Sequence, residues 1–271
     1  MRQLQLQLQP LRARRTRRTE IAAVCLAAAA TVGLSACGTE TAKTPDKDRV
    51  AAAKPKEPFA GMSGGEIAEK AMKTTADAKS LRISGKVTDE ESGGLMSMDM
   101  ALDTGGTCAG TMGMGDQGSM ELIIPGSTTA YLKYDEKFLR AQSKGEPAAD
   151  VQAAVDMLAN RWTKTRTTSA DAKEIAAFCD LDTLLADFKG GSVARRGGTT
   201  TVEGTPAIKL TESSGKEKYT VYVATKGAPH LLRIDTATGG GKPETLTFSD
   251  YDKPVKATPP TGDVVDLDKL D

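Results

Sequence analysis

The sequence predicts an α+β fold in which a curved antiparallel sheet packs over a few helices. Period-two alternation runs through residues 79–134 and again through 199–251, while helical periodicity gathers between them at 148–190. Linkers of two to five residues containing glycine join the strand runs, as in antiparallel meanders. A chain that reads strands, helices, strands collects its helices on one face of a large sheet. Residues 63–271 are expected to form a single domain of about 210 residues.

The N-terminal elements concern location. Residues 1–20 carry Arg2, Arg12, Arg14, Arg15, Arg17 and Arg18 against one acid, Glu20. Residues 21–34, IAAVCLAAAATVGL, are uncharged and shorter than the roughly 20 residues a bilayer span needs. A basic stretch, a short apolar run and small residues after it describe an export signal, residues 1–36. Thr19 and Glu20 stand where a twin-arginine signal has apolar residues, which favours the general export route.

The seam at residues 34–38, LSACG, resembles the lipobox of bacterial lipoproteins: Leu34, small Ser35 and Ala36, then Cys37. The resemblance implies that the Cys37 thiol is alkylated by a diacylglyceryl group, with palmitate as acyl chain, and that the signal is cut before it. The implied partner is the membrane, and the implied location is the outer face of the cytoplasmic membrane, lipid-anchored. Two acyl chains anchor stably where one does not, at ~0.8 kcal/mol per buried methylene. Residues 38–58 are polar, with Pro45, Pro55 and Pro58, and 37–62 read as lipidated cysteine plus flexible tether. About 20 such residues reach on the order of 25 Å.

The chain holds 36 basic and 36 acidic residues; without residues 1–36 it holds 30 against 35, a net charge of −5. That balance argues against a nucleic-acid partner. Of the four cysteines, Cys25 leaves with the signal and Cys37 carries lipid. Cys108 and Cys179 remain in an oxidising setting, where a disulfide is expected, with two separate buried thiols as the other reading. A loop of ~70 residues closed this way contributes about 4 kcal/mol in the chain-entropy model.

In the body, Ser63-Gly64-Gly65-Glu66 has the form of a capping box and opens a helix to about Ala78. Residues 79–87 read as a strand. Residues 94–103 alternate strictly, with Met96, Met98, Met100 and Leu102 on one face. Cys108, Gly110, Met112 and Met114 alternate in 107–115, and Met120, Leu122 and Ile124 in 119–126, before a strand at 128–134. DEKFLRA reads as one helical turn. Residues 148–160 place Val151, Ala154, Val155 and Leu158 on one helix face, Trp162 lies in a short strand, and 169–190 reads as a helix or helix pair. Strands follow at 199–204, 206–213, 218–225, 230–237 and 244–251, and the tail from Pro254 drapes over the body.

No catalytic constellation emerges, and no enzyme is expected. Gly61-Met62-Ser63-Gly64-Gly65 matches the nucleophile elbow, which needs a strand before it and a histidine as base. Here a tether precedes it, so Ser63 reads as a helix cap, and His230, the only histidine, as a strand-end side chain. Asp180 and Asp182 read as the start of a helix. No cofactor is expected, and no metal: thioethers suit Cu(I), but no histidine lies near the methionines. Met96, Met98, Met100, Leu102, Met112, Met114, Met120 and Leu122 are the candidate ligand-cavity residues. They either fill the core or, being pliable, line unfilled apolar volume that suits an acyl chain.

Several stretches together resemble the actinobacterial LppX/LprAFG-type lipoproteins of LolA-like fold. They are ADAKSLRISGKV, TAYLK, the Trp162 strand, and the late VEGTPAIKL, YTVYVAT, KGAPHLLRI and LTFSDYDKPV, covering roughly residues 64–256. The resemblance implies a half-barrel sheet wrapped over helices, with an apolar cavity in which characterised relatives bind lipids or lipidated glycans and move them across the envelope. The pair Cys108 and Cys179 and the charged DEKF stretch depart from that pattern. The expected function is binding of a lipid or other apolar ligand in that cavity for envelope lipid transport. The alternative is a non-enzymatic cell-surface interaction or sensor module that binds a protein partner.

Overall fold

The computed structural model describes residues 57–88, 94–126, 128–169, 172–173, 176, 179–186, 194–238 and 244–270. The expected signal at 1–36, Cys37 and most of the expected tether lie outside these residues, as do Ile175, Phe178 and Phe188.

Helix α1 (Gly64–Ala76) starts where the sequence says it will. The Ser63 hydroxyl accepts from the Glu66 amide, and the Glu66 carboxylate accepts from the Ser63 amide at 2.7 Å. These bonds hold the Glu66 carboxyl below its ordinary value. Ile67, Ala68, Ala71 and Thr75 form its buried stripe.

Twelve strands form one sheet: β1 (Ser80–Thr88), β2 (Leu95–Asp103), β3 (Cys108–Met114), β4 (Ser119–Ile124), β5 (Thr129–Tyr134), β6 (Trp162–Arg166), β7 (Arg195–Val202), β8 (Thr205–Ser214), β9 (Glu217–Ala224), β10 (Leu231–Thr238), β11 (Glu244–Ser249) and β12 (Val264–Asp266). Their spatial order is β12-β6-β5-β4-β3-β2-β1-β11-β10-β9-β8-β7. Every pair is antiparallel except β12 on β6, which is parallel. Two meanders therefore meet where β1 pairs β11. The sheet is curved and open, not closed into a barrel.

Two glycines stand at positions where the strands come too close for a side chain. A Cβ on Gly85 would lie 2.0 Å from the Thr245 carbonyl oxygen, and one on Gly110 2.0 Å from that of Asp99. Both lie in the inner rows of the sheet, where such approaches accompany strong bending.

Helices α2 (Glu136–Gln142), α3 (Ala148–Leu158) and α4 (Leu181–Ala186) complete the described elements, with two short 3-10 turns at Gly115–Gln117 and Leu267–Lys269. The DEKFLRA stretch is two turns rather than one, because Asp135 caps it by accepting from the Phe138 amide and Phe138 and Leu139 are buried. Asp180 caps α4 through the Thr183 amide. Helix α1 packs against β7–β10 and α2 against β4. Phe138 stacks on Tyr134 with centroids 5.4 Å apart.

The body is held at both ends. Residues 58–62, read from sequence as the end of the tether, are fastened by the Arg196 guanidinium, which donates to the carbonyls of Pro58, Phe59 and Met62. The tail does cross the body, but it finishes as β12. There Lys164 and Lys269 pair with Asp266, and Arg166 pairs with Asp268.

Candidate functional site: the inner face of the sheet

Register brings the candidate cavity residues together. Tyr134, Met120, Met112, Met98, Gly85, Leu246, Ile234, Val221, Leu210 and Arg196 stand side by side in one row from β5 to β7. A second row holds Leu132, Leu122, Gly110, Met100, Ile83 and Phe248. Alternation along each strand dictates this, because residues two apart share a face. The sheet thus presents one apolar inner face, and α1 lays its buried stripe against the β7–β10 half.

The eight candidates do not share one environment. Met100, Leu102, Met112, Met120 and Leu122 are at most 6% exposed and belong to the packed core. Met96, Met98 and Met114 are half-buried against that core, and Val87 is half-buried as well. Met96 stands opposite Met114 and also opposite Val87. The apolar face is therefore closed at its middle and open at the end where β2 starts and β3 finishes. Gln142 of α2 reaches over this end, its amide 3.9 Å from the Met114 sulfur.

Cys108 and Cys179 form a disulfide with Cα atoms 5.5 Å apart, so the expected pairing is present. It ties β3 to the residue that precedes the α4 cap. A cleft of about 440 Å³ opens beside it, lined by Asp103, Thr104, Ile124, Thr167, Cys179 and Leu181 among others. A second cleft of about 570 Å³ lies on the outer face. Neither is lined by a methionine.

His230 immediately precedes β10, as its sequence position suggests. Its ring stacks on Tyr251 at 4.0 Å, and its buried Nδ1 has no hydrogen-bond partner among the described residues. Burial pushes its pKa below the ordinary value, opposed by Asp252. Burial also pushes the Tyr251 phenol up, and its hydroxyl donates to the Leu231 carbonyl. Sequence reasoning missed this junction and the Arg196 clasp, since neither carries a local pattern.

Among the described residues, no three His, Cys, Asp or Glu side chains are grouped to hold a metal, and no helix is long and apolar enough to cross a membrane.

No family model and no curated protein matches the sequence. Among solved structures, LprF from Mycobacterium bovis is similar with a TM-score of 0.50 and 14% identity, covering 73% of this chain and 97% of LprF. The Mycobacterium tuberculosis lipoprotein LppX gives a TM-score of 0.43 and 18% identity, covering 71% of this chain and 97% of LppX. At such identities the likeness concerns the fold. The open, curved, antiparallel half-barrel expected from the resemblance to LppX/LprAFG-type lipoproteins, shared with LprF, is the fold this chain has.

Proposed function

We propose that the protein is an exported lipoprotein, anchored through Cys37 on the outer face of the cytoplasmic membrane, whose inner sheet face binds an apolar ligand, a lipid or lipidated glycan. One observation carries the reading. On the inner face, Met96, Met98 and Met114 are half-buried thioethers packed against the core, in a sheet that is not closed. An acyl chain lying there removes methylenes from water at about 0.8 kcal/mol each. Thioether side chains change rotamer at little cost, so the chain lengthens its contact by parting Met112 and Met120 from their neighbours. The family that the sequence resembles binds lipids in the corresponding hollow, which supports the reading.

The test is extraction. The full chain is purified from membranes, washed with excess detergent, and its organic extract is analysed by mass spectrometry. The expected result is a lipid retained in near-stoichiometric amount, and retained with about tenfold lower affinity by Met98→Asp. An extract matching that of an unrelated acylated protein overturns the carrier reading. A protein captured by crosslinking from Met96 or Met114, with no lipid retained, transfers the inner face to the interaction-module alternative.

A further inference from the structure

The outer face of the sheet is polar along one row and apolar along the next. Ser84, Asp99, Thr111, Glu121 and Lys133 stand side by side across β1–β5. The neighbouring row reads Arg82, Ala101, Ala109, Ile123 and Tyr131. It starts opposite Ser249, the last residue of β11, and ends through Lys164 at Asp266 of β12.

That line joins the two ends of the C-terminal crossing. The crossing passes about seven inter-strand spacings, ~34 Å. Residues 250–263 begin with a turn at Asp250 and Asp252, both at positive φ, and fully extended would reach about 46 Å at about 3.3 Å each, enough to cover that distance without full extension. At its root, the Lys253 carbonyl accepts from the Ser80 hydroxyl at 2.6 Å and Asp252 accepts from the Lys79 amide at 2.8 Å. Residues 253–256 of the strap lie beside Arg82, Ala101 and Ala109 of that row.

The row is not evenly filled. Ile123 and Tyr131 are large, whereas Ala101 and Ala109, directly opposite each other, are small. At the two alanines the 570 Å³ cleft remains between the sheet and residues 253–256. That volume lies in the range of small-molecule sites. Its floor is Ala101 and Ala109, and Pro254 and Val255 line it from the strap.

The charges around the slot are not balanced. Arg82 is committed to Asp99, with contacts of 2.6 and 2.5 Å to its two carboxylate oxygens. Lys253 is committed to Asp250 at 2.6 Å. Lys256, which also lines the slot, has no hydrogen-bond or ion-pair partner among the described residues. A cleft with an apolar floor, paired charges at its sides and one uncommitted ammonium is complementary to a molecule with an apolar chain and an anionic head.

We propose that this slot under the strap is a second binding site, separate from the inner face, for a single-chain anionic amphiphile whose chain lies on Ala101 and Ala109 and whose head meets Lys256. It does not depend on the inner-face reading.

The test uses the full chain in lipid nanodiscs, with alanine and methionine methyl groups carbon-13 labelled, titrated with decanoate and separately with decanol. The expected result is saturable shifts at the Ala101 and Ala109 methyls. Decanoate binds about tenfold more tightly than decanol, and Lys256→Gln removes that difference. Ala109→Leu, which fills the slot, abolishes the Ala101 shift. Absence of shifts at both alanines up to about 1 mM decanoate overturns the proposal, as does equal affinity for the two probes. Shifts confined to the Met96, Met98 and Met114 methyls also overturn it while leaving the inner-face reading intact. Because Lys256 is exposed, its variant keeps the test decisive even where Ala109→Leu folds poorly.

Discussion

Met98 on β2 stands directly opposite Met112 on β3, and Met112 in turn stands opposite Met120 on β4. Met98 is half-buried, while Met112 and Met120 are in the core, so burial rises along this row of thioethers from β2 to β4.

This gradient separates two kinds of substitution. Met112→Ala removes core volume and lowers unfolding free energy by about 2–5 kcal/mol. Met98→Asp keeps the core and lowers affinity for an apolar ligand on the order of tenfold. Denaturant melts and lipid-extraction yields, measured on both variants, check the division. Equal effects of the two variants on both quantities contradict it.

The disulfide is expected to stabilise chiefly through the unfolded chain. Its cysteines are 71 residues apart and both are buried. A loop of that length is worth about 4 kcal/mol in the chain-entropy model. The double variant Cys108→Ala, Cys179→Ala therefore unfolds at markedly lower denaturant than the oxidised protein. Reduction of the native protein gives a similar loss.

Glycine substitutions test the close approaches in the inner rows. Gly85→Ala places a Cβ 2.0 Å from the Thr245 carbonyl, and Gly110→Ala places one 2.0 Å from that of Asp99 and 2.7 Å from the Met100 sulfur. Each is expected to cost about 1–3 kcal/mol or more by overpacking. Gly198→Ala, where a Cβ meets nothing within 4 Å, serves as control and changes melting little. Equal melting temperatures for Gly85→Ala and Gly198→Ala refute the close approach.

His230 makes stability pH-dependent at the root of the strap. Its folded pKa lies below the ordinary value of about 6.5, because burial disfavours the charged ring, with Asp252 opposing. The unfolded chain therefore binds the proton more readily than the folded one. The neutral ring's contribution is complete above about pH 6.5 and is lost as pH falls through the folded value. Melting temperature drops from pH 7 to pH 5, and His230→Phe, which keeps a ring against Tyr251, flattens that drop. Parallel pH profiles for the two proteins contradict the assignment.

Much of the body is legible one segment at a time. Strict alternation in residues 94–103 encodes both the strand and its buried face, since one strand residue in two points the same way. The capping box at Ser63 and Glu66 marks the start of α1 because its hydrogen bonds close within four residues. The expected strand groups match β1–β5 and β7–β11, although β7 begins at Arg195 rather than 199. Its early residues, Arg195 to Gly198, carry no strand propensity, and pairing with Leu210 and Thr211 supplies what the local sequence lacks.

The α+β class, the hairpins, the sided strands and the two cysteines available to pair are legible in the chain before it folds. Long-range packing is what joins β1 to β11, sets β12 parallel on the far edge, and seals five of the eight candidate cavity residues in the core. It also set Arg196 on three carbonyls and left a slot between two alanines under the strap. Periodicity is a property of neighbours in the chain and reports which face a residue takes. Pairing between Ile83 and Phe248, or packing of Lys253 over Ser80, is selected by the burial and hydrogen bonding of segments more than 150 residues apart, for which no local pattern exists.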